Sequence, residues 1–247
     1  MQVVIYVKRG RYPLFPIVGY TIIMPRLARI VFAGIPHHVT QRGNRREDVF
    51  FKDEDRCFYL KLLKLYCEKN DVDILAYCLM TNHVHLVLVP KSVDGLHQVL
   101  KPLHMRYSQY INKIKNWKGH LWQGRFFSSP LDDAYTWSTI RYVERNPVQA
   151  GIVTKSEEYM WSSAAAHCGQ AKSLLLAKLP SSMNDVEESA WSEWLSSSEK
   201  ESVENIIERN IEKGLPCGSD GFIDRLEVAT KRSLRFKPQG RPIKNKG

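Results

Sequence analysis

The sequence predicts an α+β fold, in which an antiparallel sheet with helices on one face is followed by a small, mostly helical C-terminal region. Two neighbouring apolar runs, 71–80 and 83–89, have the composition of paired strands joined by a tight turn. The stretch 94–115 repeats apolar residues at helical spacing. Past residue 166 the composition changes, and helical patterns at 169–179, 190–195 and 199–212 replace the strand patterns.

The predicted elements follow the order strand, helix, strand, strand, helix, strand. Strands are expected at about 30–41, 71–80, 83–89 and 125–131, and helices at 53–69 and 94–115. This β-α-β-β-α-β order is that of the ferredoxin-like unit, whose two helices cover one face of the sheet. The second face is then left free for a site.

A further helix is expected to begin with Asp132 or Asp133 as its N-terminal cap and to end before Pro147. At about 100° per residue, Tyr142 and Asn146 lie one turn apart on the same side of this helix. A phenol and an amide on that side could lie over the free sheet face. The alternative is an exposed tyrosine and an asparagine that simply ends the helix.

The segment His83-Val84-His85 opens the second of the paired strands. Residues i and i+2 of a strand point to the same face, so the two imidazoles project side by side. Two neutral imidazoles at that spacing suit a divalent metal and leave room for a substrate oxygen. Because this pattern alone has low specificity, two partly buried histidines without a metal remain the alternative.

Charge is distributed unevenly along the 247 residues, whose formal net charge is +10. Residues 91–129 contain seven basic residues and one acidic residue, and residues 231–247 contain seven basic residues and none acidic. Residues 185–212 contain nine carboxylates and two basic residues. This distribution favours a protein whose basic side faces nucleic acid and whose acidic side faces solvent. The alternative is ordinary surface charge that serves solubility. Trp122, Phe126 and Phe127 could stack on unpaired bases beside the basic segment, or could equally be residues of the hydrophobic core.

The cysteines and apolar runs bear on cellular location. Five cysteines are scattered without a C-x-x-C pair, which indicates reduced thiols in a cytoplasmic protein. No apolar run reaches the ~18 residues that a membrane span needs, so no membrane association is expected. Residues 1–23 are expected to be an N-terminal extension with no part in the fold.

Four stretches in register give the chain a family resemblance: residues 34–44 (GIPHHVTQRGN), 80–86 (MTNHVHL), 119–126 (GHLWQGRF) and 142–151 (YVERNPVQAG). Over residues 25–163 the sequence resembles the single-tyrosine HUH transposases of the insertion-sequence type, named for two histidines that flank an apolar residue. Within that group it is most similar to the REP-associated tyrosine transposases.

The resemblance implies roles for four residues. His83 and His85 are the metal-binding pair, Tyr142 is the nucleophile, and Asn146 completes a site for Mg²⁺ or Mn²⁺. Insertion-sequence relatives often have glutamine at the last position. The implied activity is cleavage and rejoining of structured single-stranded DNA, such as hairpins of palindromic repeats, through a 5′-phosphotyrosine. The implied protein is a nucleoid-associated monomer or homodimer.

The same interpretation divides the chain into a catalytic domain at 24–165 and a helical, DNA-binding accessory region with a basic tail at 166–247. The tail could instead serve only solubility. DNA contacts are expected from ten basic residues: Arg42, Arg45, Arg46, Lys113, Lys115, Lys118, Arg125, Lys231, Arg232 and Arg241. The main alternative function is a domesticated protein that binds nucleic acid without cleaving it. A metal hydrolase is less favoured, because no carboxylate lies near the histidines in sequence to act as general base.

Overall fold

The computed structural model describes residues 29–179, 188–197 and 201–237. The strands are β1 (His37–Arg42), β2 (Val72–Leu79), β3 (His83–Pro90) and β4 (Phe127–Pro130). The helices are α1 (Asp53–Lys69), α2 (Gly95–Lys115), α3 (Asp133–Gln149), α4 (Ala164–His167), α5 (Glu188–Ser196), α6 (Glu201–Lys213) and α7 (Asp220–Thr230), with single 3₁₀ turns at Asn44–Arg46 and Ser156–Glu158. The predicted extension at 1–23 and Arg241 lie outside the described residues.

The four strands form one antiparallel sheet in the order β2-β3-β1-β4. This arrangement confirms the predicted fold class, since the β-α-β-β-α-β order places β1 between β3 and β4. β1 begins at His37, later than the predicted residue 30. The chain before it turns at Gly34, whose φ of 74° lies in the left-handed region that glycine adopts readily.

The two faces of the sheet are covered by different helices. Val39 and Leu86, which are cross-strand partners, are fully buried on one face. On this face α1 packs on α2 and β2, and α2 packs on β2 and β3. Because side chains alternate along a strand, His83 and His85 project from the opposite face. α3 lies over this second face, and the ring of Tyr142 contacts that of His85. The second face therefore holds a helix and a group of polar residues.

α3 begins as the sequence predicts but ends later. Asp132 is the N-terminal cap, and its side chain accepts a hydrogen bond from the Tyr135 amide at 2.9 Å. The predicted end before Pro147 is wrong, because the helix continues to Gln149. A proline in the final turn removes only one amide donor, and the Ala150 amide still closes the turn on the Asn146 carbonyl at 2.9 Å.

The C-terminal region packs on the sheet. The helix expected over 169–179 is wrong: this segment is not helical, and the Ala177 amide donates to the Ile74 carbonyl on the edge strand β2 at 2.9 Å. The acidic segment forms α6, which contacts β4, β1 and α3. Ile207 and Ile211 make one side of the helix apolar and are buried, while the acidic residues Glu201, Glu208 and Glu212 are exposed.

Buried side chains from both sides of residue 165 share one hydrophobic core, which includes Trp191, Leu195 and Ile207 together with residues of the sheet. The division at 165 stays a prediction. A second, smaller cluster links the segment before β1 with the C-terminal end of the described chain through Ile30, Phe222, Leu226 and Leu234. Within the described ranges, no helix has the length and apolar character needed to cross a membrane.

Candidate active site

The two histidines of the predicted pair lie side by side at the start of β3. Their ring centroids are 4.9 Å apart, with the ring planes at 78°. Nδ1 of His83 hydrogen-bonds Oδ1 of Asn82 at 2.5 Å, and Nδ1 of His85 hydrogen-bonds Nε2 of His38 at 2.9 Å. With both Nδ1 atoms bonded inside the protein, Nε2 of each ring is the nitrogen that can bind a metal.

Burial keeps these histidines neutral. Burial, and to a smaller extent the nearby positive charge of Arg42, lowers the pKa of His83 to about 4. Burial also holds the pKa of His85 well below 6.5, with smaller contributions from His83 and His38. For His38, burial alone lowers the pKa to about 3. Since only the neutral ring can bind a metal, the site is in the metal-binding protonation state at neutral pH.

Tyr142 of α3 lies against this group of rings. Its ring centroid is 5.7 Å from that of His85 and 5.9 Å from that of His38, edge to face in both cases. The side chain is buried, and its hydroxyl donates a hydrogen bond to Oε1 of Glu208 on α6 at 3.1 Å. Burial, and then the negative charge of Glu208, raise the pKa of Tyr142 above its usual value near 10.

Asn146 lies one turn after Tyr142 and joins it to the histidines. Its Nδ2 donates to the Tyr142 carbonyl at 3.0 Å. Its side-chain amide also lies close enough to the His83 ring to raise the pKa of that ring slightly, against the larger lowering by burial. The structure thus brings together all four residues that the sequence singled out: His83, His85, Tyr142 and Asn146.

His83, His85 and Asn146 offer some, but not all, of the ligands that a divalent metal needs. Two Nε2 atoms and one amide oxygen make a neutral donor set of three, which leaves positions for phosphate oxygens and water. In the part of the chain that the structure describes, no group of three or more His, Cys, Asp and Glu side chains is placed to hold a metal ion. Without a carboxylate, such a set binds Mg²⁺ weakly and depends on the substrate to complete the coordination.

Three residues of the site had no role predicted from the sequence. His38 lies within the GIPHHVTQRGN stretch, and alternation along β1 places it on the same sheet face as His85. Asn82, which fixes the His83 ring, lies in the turn between β2 and β3. Glu208 gave no sequence signal, because one carboxylate in an acidic helix cannot be distinguished from its neighbours.

The described basic residues that are expected to contact DNA lie on several different elements. Arg42, Arg125 and Arg232 line a single cleft. Arg45 and Arg46 form a turn with positive φ angles, and the Arg46 carbonyl accepts a hydrogen bond from the Asn82 side chain at 3.0 Å. The others are exposed elsewhere: Lys113, Lys115, Lys118 and Lys231.

Only one of the three aromatic residues suggested for base stacking is accessible. Trp122 and Phe126 are buried in the hydrophobic core, so stacking on bases is the wrong interpretation for them. Phe127 is 44% exposed on the edge strand β4. Its Cα partner on β1 is Thr40, whose partner on β3 is His85, so Phe127 lies on the same face of the sheet as the histidines.

Comparison with protein families matches residues 32–146 to the model described as IS200-like transposase. The matched segment is similar to that family over a little under half of the chain. It contains β1 to β4 and most of α3, including the four candidate residues His83, His85, Tyr142 and Asn146. The predicted resemblance to insertion-sequence transposases is confirmed.

One solved structure supports the fold independently. A REP-associated tyrosine transposase bound to a REP hairpin matches with a TM-score of 0.51 and 14% identity, over 64% of this chain and 100% of that chain. A putative transposase from Deinococcus radiodurans R1 aligns with 19% identity and a TM-score of 0.35, over 56% of this chain and 97% of that chain. At 14% identity the likeness to the first structure concerns the fold alone. Comparison with curated proteins gives no significant match.

Proposed function

We propose that this protein cleaves and rejoins single-stranded DNA beside a hairpin, through a covalent bond between Tyr142 and a 5′ phosphate. The observation that carries the proposal is the contact of the Tyr142 ring with His85, whose Nε2 is left for a metal. A phenol, a neutral histidine pair and an amide are the groups that this reaction needs. The hairpin as substrate is supported by the structural neighbour, which is bound to a REP hairpin.

In the proposed reaction the phenolic oxygen of Tyr142 attacks a phosphodiester. The bond from this oxygen to phosphorus forms while the bond from phosphorus to the 3′ oxygen breaks. The products are a 5′-phosphotyrosine and a free 3′-hydroxyl. Because the covalent product retains the energy of the phosphodiester, a 3′-hydroxyl can attack it to rejoin the strands without a nucleotide cofactor.

A divalent cation, Mg²⁺ or Mn²⁺, would be held by Nε2 of His83, Nε2 of His85 and the amide oxygen of Asn146. Bound there, it supplies positive charge to a non-bridging oxygen of the phosphate that reacts. The chain itself prepares the site before the metal binds. Burial keeps both imidazoles neutral, Asn82 and His38 fix their orientation, and α3 holds Asn146 one turn from Tyr142.

The proposal is tested by trapping the covalent product. A labelled hairpin oligonucleotide with a single-stranded flank is incubated with the protein and Mn²⁺ and then analysed under denaturing conditions. We expect a labelled band at the mass of the protein, lost in Tyr142→Phe and kept in Tyr135→Phe, whose tyrosine lies on the same helix. An adduct that persists in Tyr142→Phe would exclude Tyr142 as the nucleophile, and one formed at full rate with chelator would exclude the metal.

One observation favours the alternative of a protein that binds nucleic acid without cutting it. Tyr142 is only 7% exposed, and its hydroxyl is bonded to Glu208. In a domesticated binding protein, this contact would be purely structural. The same assay separates the two functions, because the alternative requires hairpin binding without any adduct, whichever divalent metal is supplied.

A further inference from the structure

Two consecutive arginines near the candidate active site have a strained backbone. Arg45 and Arg46, in the 3₁₀ turn at 44–46, have φ angles of 53° and 63°, in the left-handed region that disfavours residues with a large side chain. Both side chains are exposed, so their packing does not account for this conformation. Strain of this kind persists only where the surrounding structure maintains it, and it is frequent at functional sites.

Backbone hydrogen bonds hold the turn against the connection between β2 and β3. The Gly43 amide donates to the Asn82 carbonyl at 2.8 Å. The amides of Val49 and Phe50, which follow the turn, donate to the Thr81 carbonyl at 2.9 and 3.1 Å. At Gly43 a Cβ atom would lie 2.1 Å from a backbone oxygen four residues later, so no larger residue fits at the start of the turn. These contacts fix the position of the turn relative to β3.

The side chain of Asn82 connects the turn to the histidine pair. Its Nδ2 donates to the Arg46 carbonyl at 3.0 Å, and its Oδ1 lies 2.5 Å from Nδ1 of His83. Because a carbonyl can only accept a hydrogen bond, the Arg46 carbonyl requires the amide nitrogen on its side and leaves the amide oxygen for His83. That oxygen can also only accept. The hydrogen of the neutral His83 ring therefore lies on Nδ1, and Nε2 keeps its lone pair.

We infer that the turn at 44–46 sets the metal-binding tautomer of His83, acting through Asn82. Only a ring nitrogen without a hydrogen can bind a cation, and a neutral imidazole without a partner favours the hydrogen on Nε2. The fixed Asn82 amide reverses that preference, because its oxygen accepts the hydrogen on Nδ1. If the Arg46 carbonyl moves away, the amide is free to rotate, and its nitrogen then favours the tautomer that cannot bind the metal.

In this role Arg46 is a positioning residue that acts through its backbone, which is separate from the DNA contact expected of its side chain. A phosphate contact depends on the charge of Arg46, whereas the tautomer of His83 depends on the conformation of the turn. Glycine removes the charge and adopts the left-handed region readily. Valine also removes the charge but disfavours that region, because it is branched at Cβ. Arg46→Gly and Arg46→Val are therefore a matched pair that separates backbone from charge.

The first measurement needs neither metal nor DNA. In protein with isotope-labelled histidine, NMR correlation of the ring nitrogens with the carbon-bound ring hydrogens distinguishes a nitrogen that carries a hydrogen from one that does not. His83→Gln identifies the His83 signals. We expect the hydrogen of His83 on Nδ1 in the parent and in Arg46→Gly. In Arg46→Val and in Asn82→Ala we expect it wholly or partly on Nε2.

The second measurement is Mn²⁺ affinity, from titrations followed by electron paramagnetic resonance. We expect Arg46→Val and Asn82→Ala to weaken Mn²⁺ binding by about 10- to 100-fold, as loss of a partner that orients a ligand typically does, and Arg46→Gly to leave it unchanged. Asn82→Asp keeps an oxygen acceptor beside Nδ1 whatever the turn does. It should therefore retain the parent tautomer, and adding Arg46→Val to Asn82→Asp should change neither the tautomer nor the affinity further.

A His83 hydrogen on Nε2 in the parent, or a parent tautomer that persists in Arg46→Val, would overturn the inference. Equal changes in Arg46→Gly and Arg46→Val would also overturn it, since the charge and not the backbone would then matter. The inference rests on the proposed function only for the metal, so the two can fail separately. The expected tautomers without any Mn²⁺ binding would remove the metal from the proposed function, and covalent adduct formation with a tautomer independent of the turn would remove only this inference.

Discussion

The hydroxyl of Tyr142 on α3 donates a hydrogen bond to Oε1 of Glu208 on α6 over 3.1 Å. The bond joins the proposed nucleophile to a helix that lies outside the family segment 32–146. A carboxylate that accepts this hydrogen bond stabilises the neutral phenol and opposes the phenolate. Glu208 thus contributes to the raised pKa of Tyr142, after burial of the ring.

Replacing this carboxylate with a neutral amide should make Tyr142 more reactive. In Glu208→Gln we expect the pKa of Tyr142 to fall and adduct formation near neutral pH to become faster, by up to about tenfold for each unit of pKa. The measurement is the single-turnover rate of adduct formation at saturating hairpin DNA and Mn²⁺, followed from pH 6 to 9.

Glu201→Gln is the matched control, because it removes the same charge from the first turn of the same helix, where the side chain is exposed. Its adduct rate should equal that of the parent. A slower rate in Glu208→Gln would contradict the prediction, and would mean that the carboxylate promotes the attack by orienting the phenol.

His38 should control metal affinity without being a ligand. Its Nε2 is bonded to Nδ1 of His85 and so fixes which nitrogen of His85 faces the metal. Removal of such a supporting partner typically weakens metal binding by about 10- to 100-fold. We expect His38→Ala to show that weakening in Mn²⁺ titrations followed by electron paramagnetic resonance, and the exposed His97→Ala to show none. Unchanged Mn²⁺ affinity in a folded His38→Ala protein would contradict this role.

Acid should destabilise the fold at a mildly acidic pH. Burial lowers the pKa values of His37 and His83 to about 4 and those of His38 and His104 to about 3, from an ordinary 6.5. The unfolded chain therefore binds protons below pH 6.5 that the folded chain does not bind, and the free energy of unfolding falls as pH drops from about 6.5 to 4.

The contribution of His104 on α2 to this pH dependence of stability can be measured separately. Each such group contributes a slope of up to about 1.4 kcal/mol per pH unit in this window. His104→Gln should flatten the dependence of unfolding free energy on pH, measured by urea denaturation from pH 7.5 to 4.5. His97→Gln, an exposed position on the same helix, should leave it unchanged. If the two variants show the same dependence of unfolding free energy on pH, burial of His104 does not cause the loss of stability in acid.

Local patterns predicted the sheet and which of the four central residues share a face, while their proposed roles came from the family resemblance. The spacing of His83 and His85, and of Tyr142 and Asn146, determines a shared face on a strand and on a helix, whatever surrounds them. Glu208 could not be predicted, because its contact with Tyr142 depends on how α6 packs on the sheet. The prediction of a helix over 169–179 was wrong because it too ignored tertiary contacts. The segment lies along the edge strand β2, where the Ala177 amide donates to the Ile74 carbonyl.

A deletion that tests whether the basic end of the chain binds DNA should begin at residue 238. Leu234 is buried with Ile30 and Leu226, and Arg235 forms ion pairs with Asp220 and Asp224. A deletion from 231 would remove this packing and these ion pairs together with the tail. Deleting 238–247 removes only the last three basic residues, Arg241, Lys244 and Lys246.

We expect the protein without 238–247 to unfold at the parent temperature and to bind hairpin DNA with a weaker salt dependence. The logarithmic slope should fall by about 0.7 to 0.9 for each phosphate that the tail no longer neutralises, because neutralising a phosphate releases condensed counterions. Adduct formation at saturating DNA should persist. A full-length protein with Arg241, Lys244 and Lys246 replaced by glutamine separates charge from chain length and should match the deletion. If neither variant changes the slope, the tail does not bind DNA, and the cleft beside Arg42 and Arg125 becomes the main candidate for phosphate binding.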